Sequence, residues 1–463
     1  VAELLRAAVL SDAEKDTVNR LAGKVRKDRR DLDRLDTYFD GEQRLRHIGL
    51  ALPEEVRIFE TIVNIPRLAV QEPVLRQRLK AFYRAGDSTS LDDDLRLSWE
   101  ANNLPSESAL CHTDARVYGR SFVAVGTNPD GADRPPLITV ESPKEITCEV
   151  DRRRRKMSAA FRQYRDTDLK VTRGTLYRPD ATVHLVRGQR GWEVVDRDDH
   201  HLGVVPLVMF LNARRAGQFD GRSEMADVIT KTDGIARLIT NLLVGAETHA
   251  MPARWIAGAT QEDFVDEDGN PIPVWESYLT AIRAIKNSDA RFGQWEAGDL
   301  KNFTGTVDSM LAWCATELGL PTRYVGQSTV NPAAEGAIRA DESRLIVRTM
   351  DKNRFDGDSW AWVMGLEERL RTGRWGAPNS IRTLWHDPGT ATTAEAADAA
   401  LKLRSQGALS VEGMWDMLDW DEARKKLERE RLDAEAGNAV DHILRDASQG
   451  AMADAADSAA LGG

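Results

Sequence analysis

Residues 221–258 read GRSEMADVITKTDGIARLITNLLVGAETHAMPARWIAG. Met225, Val228, Thr232, Ile235, Ile239, Leu242 and Ala246 recur there at steps of three and four, which places them on one face of a helix. From Glu224 to Glu247 this predicts a helix of ~36 Å at 1.5 Å per residue. Ala250-Met251-Pro252 marks its end, because proline lacks an amide hydrogen and restricts the residue before it. Residues 253–302 are mixed. RWIAG is β-prone, Asp266-Glu267-Asp268-Gly269-Asn270-Pro271 is turn-like, Ser277 to Ile285 has a short helical pattern, and the Gly- and Trp-containing exit is irregular. A second helix is predicted over Thr306–Leu318. Two helices flanking a mixed insertion describe a pair of struts. A loop rich in Gly, Pro, Ser, Thr and Asn follows from Gly319 to Pro332, then a long helical pattern from Ala333 to Arg371, interrupted at Asp356-Gly357.

Towards the N-terminus, Ser11-Asp12-Ala13-Glu14 carries a capping signal, and Val18, Leu21, Val25, Leu32, Leu35 and Phe39 step by three and four, predicting a helix over 11–39. The gap in that series falls on Asp28, and the basic run KVRKDRR covers the exposed faces, which favours packing against the rest of the chain over a lone coiled coil. A helix-rich stretch is predicted to about Leu104, including segments at Leu75 to Tyr83 and Asp92 to Ala101. From Arg116 to Leu211 the pattern changes to short runs, SFVAVG, LITVES, EITCEV, SAAFRQY, TVHLVR, WEVVD and VVPLVMFL. They are separated by turns such as Asn128 to Gly131 and Gly188 to Gly191, an antiparallel β region. Beyond the Pro- and Gly-containing RWGAPNSIRTLWHDPGT, helix is predicted from Thr392 to about Glu435, and Ala451 to Gly463 has the composition of a disordered tail.

At 463 residues, two to four structural regions are expected. The longest apolar stretches, such as Leu202 to Leu211, fall short of the roughly 20 residues that span a bilayer, and the first residues lack the basic segment and cleavage site of a secretory signal, which points to the cytoplasm. The 3 cysteines, Cys111, Cys148 and Cys314, are far apart and odd in number, and read as buried thiols. A net charge of −11 argues against a protein that coats nucleic acid through a basic face, though not against one that lets DNA pass without adhering.

Candidate chemistry is sparse. Asp198-Asp199-His200-His201 could supply metal ligands, but neighbours on a turn splay apart and a solvated loop is favoured. Asp266, Asp268 and Asn270 resemble a calcium loop only faintly, since Gly269 comes too early and no Glu follows at the twelfth position. Cys111-His112 face different ways on a helix and read as core packing. The cluster Arg152 to Lys156 reads as an exposed hairpin turn. No GxxxxGK[ST], GxSxG or HExxH occurs, so the usual equipment for ATP hydrolysis, acyl transfer or zinc proteolysis is missing.

Taken in order, several segments resemble the portal proteins of tailed phages, in particular the SPP1-type group common in phages of actinobacteria. They are TYFDGEQRLRHIG, NIPRLAV, WEANNLPSESALCHTDARVYGRSFVAVG, ITVESPKEI, LYRPDATVHLV with GWEVV, HLGVVPLVMFLN, the opening stretch 221–258, LGLPTRYVGQSTVNPAAEGAIRADESRLI and TAEAADAALKLRSQGALSVEGMWDMLDW. The resemblance implies a helix-rich α+β subunit of a ring, likewise built of wing, stem, clip and crown. Carried over, residues 1–221 would be most of the wing, 222–249 and 303–318 the two stem helices, and 250–302 the clip. Residues 319–332 would be the tunnel loop, 333–391 the wing's long kinked helix and return, and 392–463 the crown with its tail.

The resemblance further implies a dodecameric channel at one capsid vertex of the virion, passing double-stranded DNA without sequence specificity. Its partners would be the terminase large subunit, the major capsid and scaffolding proteins and a head-completion adaptor, with no membrane, catalytic residue, metal or cofactor. Gln327, Ser328, Thr329 and Asn331 of the loop, together with Arg323, Arg339 and Lys301, are the candidate DNA-channel residues. The basic ones either face the duplex or pair with acids of a neighbouring subunit. The other reading is a metal-dependent phage nuclease or other DNA-processing enzyme, motivated by the acid-rich loops and by Asp198 to His201.

Overall fold

The computed structural model describes residues 9–45, 58–84, 92–131, 134–250, 254–258, 291–294, 300–326, 335–377, 379–389, 393–420 and 424–435. It divides into two compact units, Val1–Pro388 and Gly389–Gly463.

The first unit opens with α1, Asp12–Asp40, which begins as its sequence signals. Ser11 Oγ accepts from the Glu14 amide at 3.3 Å and Glu14 Oε2 accepts from the Ser11 amide at 2.9 Å, which satisfies two otherwise orphaned donors. Val18, Leu21 and Ala22 are buried against Ala159, Phe161, Leu176, Val183 and Leu185 of a five-stranded sheet. Each large apolar side chain so buried contributes about 2 kcal/mol. Asp28, the gap in the apolar series, is where Arg120 docks, with Nη2 2.9 Å from Oδ2. The polar interruption is thus an anchor point of the helix.

That sheet is an antiparallel meander of β4 (Ile146–Asp151), β5 (Lys156–Asp166), β6 (Val171–Tyr177), β7 (Thr182–Gly188) and β8 (Gly191–Asp198). Arg152 to Arg155 of the basic cluster form its exposed β4–β5 turn, and Lys156 opens β5. Strand β6 was not predicted, because Gly174 breaks its pattern. A Cβ there would meet the Phe161 and Trp192 rings at 2.8 and 2.9 Å, so the glycine makes room for an aromatic pair. A second sheet orders β3 (Leu137–Glu141), β2 (Arg120–Gly126) and β9 (Leu207–Leu211).

Beside these lie α2 (Ile65–Leu75), α3 (Asp93–Ala101) and α4 (Leu104–Tyr118). The sequence reading of Leu75 to Tyr83 as helix is corrected: Leu79–Arg84 is strand β1, paired antiparallel with β12, Ile381–Trp385. A partner some three hundred positions away leaves no local signal.

The long helix α7, Glu335–Thr372, runs through Asp356-Gly357 without the predicted interruption. Asp356 is buried in an ion pair with Arg116, and Gln77 Nε2 donates to it at 2.8 Å. Gly357 lies where β12 crosses the helix, and any Cβ would collide with Thr383 Oγ1. Both residues that read as a break therefore serve close packing. Around them Trp360, Val363, Met364 and Leu366 join Phe82, Leu95, Leu104, Val123 and Phe210 in the largest core. The three cysteines are buried free thiols.

In the second unit α8 (Thr393–Ser405), α9 (Val411–Met417) and a helical stretch at 424–435 match the predicted helical tail. Trp415 is buried and stacks on Trp420, and Lys425 Nζ reaches Asp416 Oδ1 at 2.6 Å.

Candidate channel-lining element

The first strut begins with a single 3-10 turn, Glu224–Asp227, capped by Ser223, whose Oγ accepts from the Met225 amide at 3.2 Å. The α-helix proper, α5, is Ile229–Ala250. Its entry is pinned by two glycines in the left-handed region, Gly119 and Gly221, whose backbones approach too closely for a side chain on either. The Asn212 amide donates to Gly119 O at 2.9 Å, and the Arg222 amide to Asn212 O at 3.2 Å.

After α5 comes β10, Arg254–Ala257, and its antiparallel partner β11, Arg291–Gln294, in register Arg254↔Gln294 to Ala257↔Arg291. The predicted irregular exit thus contains a strand. The turn predicted at Asp266 to Pro271 and the helical piece at Ser277 to Ile285 lie outside the described residues. Helix α6 spans Lys301–Leu318, one turn earlier than predicted. Along the pair, Lys231 Nζ lies 2.7 Å from Glu317 Oε2, a Cβ on Gly234 would meet Met310 Cε at 2.9 Å, and one on Gly245 would meet Leu300 Cδ2 at 3.4 Å. Rising numbers on one helix meet falling numbers on the other, so the struts are antiparallel.

Their shared face is apolar at the root, where Val228, Ile235, Ile239, Val307, Met310, Cys314, Ala315 and Leu318 pack with Ile65 and Ala69. Two polar ties hold the root to α1 and to the chain before α2. Tyr38 Oη donates to Asp233 Oδ2 at 2.9 Å, with burial and then that carboxylate pushing the phenol up to about 12. The Thr61 amide donates to Thr240 Oγ1 at 3.2 Å.

The outer face of α6 is different. Asn302, Thr304, Thr306, Ser309 and Thr316 are exposed. Each of the four hydroxyls donates to a carbonyl of its own helix at 2.8 to 2.9 Å. Their protons being committed, they present acceptor lone pairs and methyl groups, which offer nothing to a phosphate oxygen. Lys231 and Glu317 cancel each other, while Lys301, Asp308 and Trp313 are also exposed on α6.

Beyond Gly319 a 3-10 turn, Thr322–Val325, leads into the loop. Arg323 ion-pairs with Asp341 at 2.8 Å and Glu342 at 2.5 Å. Tyr324 Oη donates to Glu342 Oε1 at 2.7 Å and accepts from Arg76 Nη2 at 2.8 Å. This network ties the root of the loop to the start of α7. Sequence reasoning did not find it, since Arg76, Tyr324 and Glu342 come from three separate segments.

Of the predicted channel residues, Arg323 therefore pairs within its own chain, and Arg339 Nη2 lies 3.1 Å from Asp387 Oδ2, again within the chain. Lys301 is exposed at the start of α6. Gln327, Ser328, Thr329 and Asn331 lie outside the described residues. Asp198 to His201 are engaged locally: Asp199 accepts from Arg197 at 2.9 Å, Asp198 from Thr127 at 3.2 Å, and His200 Nδ1 from the Leu202 amide at 3.3 Å. Among the described residues no three His, Cys, Asp or Glu side chains gather to hold a metal ion, and no helix is long and apolar enough to cross a membrane.

The family model described as phage portal protein, SPP1 Gp6-like, matches residues 21–442. The portal protein of Mycobacterium phage L5 is 34% identical over 416 residues, 85% of each chain. That of Mycobacterium phage D29 is 35% identical over 381 residues, 80% of this chain and 78% of its own. A chain in the virion of a native gene transfer agent particle has 12% identity and a TM-score of 0.44, covering 85% of this chain and 94% of its own. A family match over nearly the whole chain, with two relatives above 30% identity, makes this chain a member of the SPP1 Gp6-like family of phage portal proteins.

Proposed function

We propose that this portal chain is the repeating subunit of a dodecameric ring at one capsid vertex, through which double-stranded DNA is packaged and later ejected. In this reading α5 and α6 are the stem, the segment between them is the clip that docks the terminase large subunit and later a head-completion adaptor, and 319–332 is the tunnel loop. Residues 1–221 with 333–391 form the wing towards capsid and scaffolding proteins, and 392–463 the crown. The chain acts as a structural conduit of the virion, assembled in the host cytoplasm, and leaves ATP hydrolysis to its partner.

The observation that carries the reading is the antiparallel strut pair, whose second helix carries exposed hydroxyls with committed protons alongside exposed Lys301, Asp308 and Trp313. A wall of that kind lets a polyanion slide, and the −11 charge of each copy adds repulsion. Large apolar side chains left in the open on the single chain supply contacts between copies: Trp313 is 61% exposed, Val347 64% and Met350 51%. End-on electron microscopy of the purified protein tests the proposal. Rings with an axial hole are expected, whereas a monomer, or a compact oligomer without a hole, would overturn it.

A further inference from the structure

Away from the struts, a cavity of ≈ 320 Å³ opens where the end of β9 meets α4 and α7, lined by Arg116, Arg214, Arg348, Lys352, Asp351 and Asp356 together with less polar neighbours. Its charges do not balance. Arg116 and Asp356 cancel, and Asp351 is taken by Arg354 at 3.0 Å, outside the lining. Arg348 and Lys352 share one carboxylate, Glu224, each at 2.8 Å. Among the described residues Arg214 makes no ion pair and only stands over the Phe355 ring, 5.6 Å from its centre. Four lining cations thus face two carboxylates.

Donors are in excess as well. Arg116 is 99% buried, yet its Nε hydrogen has no acceptor among the described residues. Lys352 spends two ammonium hydrogens, on Asn212 Oδ1 at 3.0 Å and on Glu224, and keeps a third. Arg348 gives Nη1 to the Glu317 carbonyl and Nη2 to Glu224, leaving hydrogens on its fork. An unsatisfied buried donor is costly, and a cluster of them around an open space selects for an acceptor to fill it.

We propose that this cavity binds a phosphate-type oxyanion, whether a free ion or a phosphate of a nucleic-acid backbone. A tetrahedral group with several acceptor oxygens and up to two negative charges matches guanidinium forks, a spare ammonium hydrogen and the surplus of two cations. Crowding of like charge is felt within the site: burial, then the charge of Arg116, lowers Lys352 to about 8 in spite of Glu224. The proposal stands independently of the ring.

The test uses the full chain, titrated calorimetrically with inorganic phosphate at an ionic strength matched by sodium chloride, and separately with a short DNA duplex. Arg214→Gln, at an exposed position, keeps the fold and is expected to weaken binding at least tenfold. Arg190→Gln, in the exposed β7–β8 turn and outside the cavity lining, is expected to leave binding unchanged. Phosphate binding lost in Arg214→Gln identifies a free-ion site, and duplex binding tighter than phosphate and lost in the same variant identifies the backbone as the source. No binding of either probe by the unaltered chain, or equal binding by Arg214→Gln, overturns the proposal.

Discussion

Trp360 Nε1 donates to His112 Nε2 across 3.0 Å, joining the middle of the long helix to α4 inside the largest core. The bond requires an unprotonated Nε2, and burial holds the imidazole at about 4, with Arg116 lowering it and Asp356 opposing. The unfolded chain takes up this proton near pH 6.5, so between about 6.5 and 4 it binds more protons than the native state. Stability is therefore fully present above pH 6.5 and falls as pH drops towards 4. Asp114, held up at about 7 by burial, contributes with the opposite sign. Comparing His112→Gln with the unaltered chain removes that common part. The stability gap between the two is expected to shrink by about 3 kcal/mol over the window, as read by urea unfolding at several pH values, and a constant gap refutes the assignment.

Asp356→Ala strands the Arg116 charge in the core, and a loss of about 3–5 kcal/mol is expected. Replacing both, Arg116→Met with Asp356→Leu, should cost less than the single change, because nothing charged is left without a partner. Equilibrium denaturation of the two variants distinguishes the outcomes.

Gly357→Ala forces a methyl group onto Thr383 Oγ1, which also accepts from Trp385 Nε1 at 3.1 Å. A destabilisation of about 1–3 kcal/mol follows from overpacking. Since the clash needs both side chains, adding Thr383→Ala should recover part of it, and strict additivity in a double-mutant cycle would contradict the close approach.

Two further changes address assembly. Trp313→Ser, on the exposed face of α6, is expected to shift the protein from rings to smaller species in sedimentation while leaving its helix content unchanged. Shortening the loop at Gln327 to Asn331 is expected to leave rings intact and to impair DNA packaging, and normally filled heads from that variant would refute the tunnel-loop assignment.

Local signals were legible. Ser11 and Glu14, the three-four steps of the first strut, and the Gly188-Gln189-Arg190-Gly191 turn each specify their own geometry, although the first strut's α-helix proper begins only at Ile229, after a 3-10 turn. What escaped was decided by distant chain. Leu79–Arg84 becomes strand only because Ile381–Trp385 lies beside it, and Asp356-Gly357 looks like a break until Arg116 and Thr383 are seen against it. The ion pairs of the basic channel candidates are likewise set at a distance. Arg323 and Arg339 were recognisable as basic residues next to a loop, but their partners Asp341, Glu342 and Asp387 are set by how α7 and the chain after β12 fold back.

The pairing of Leu79–Arg84 with Ile381–Trp385 also sets an order of events during synthesis. At roughly 5–20 residues per second, the first strand waits some tens of seconds for its mate to emerge from the ribosome. Until then the free hydrogen-bonding edge of the first strand is open to strangers. Translation stalled shortly before residue 381 would release chains that are mostly folded yet sticky, so the yield of usable subunits depends on finishing the message as much as on the stability of the finished product.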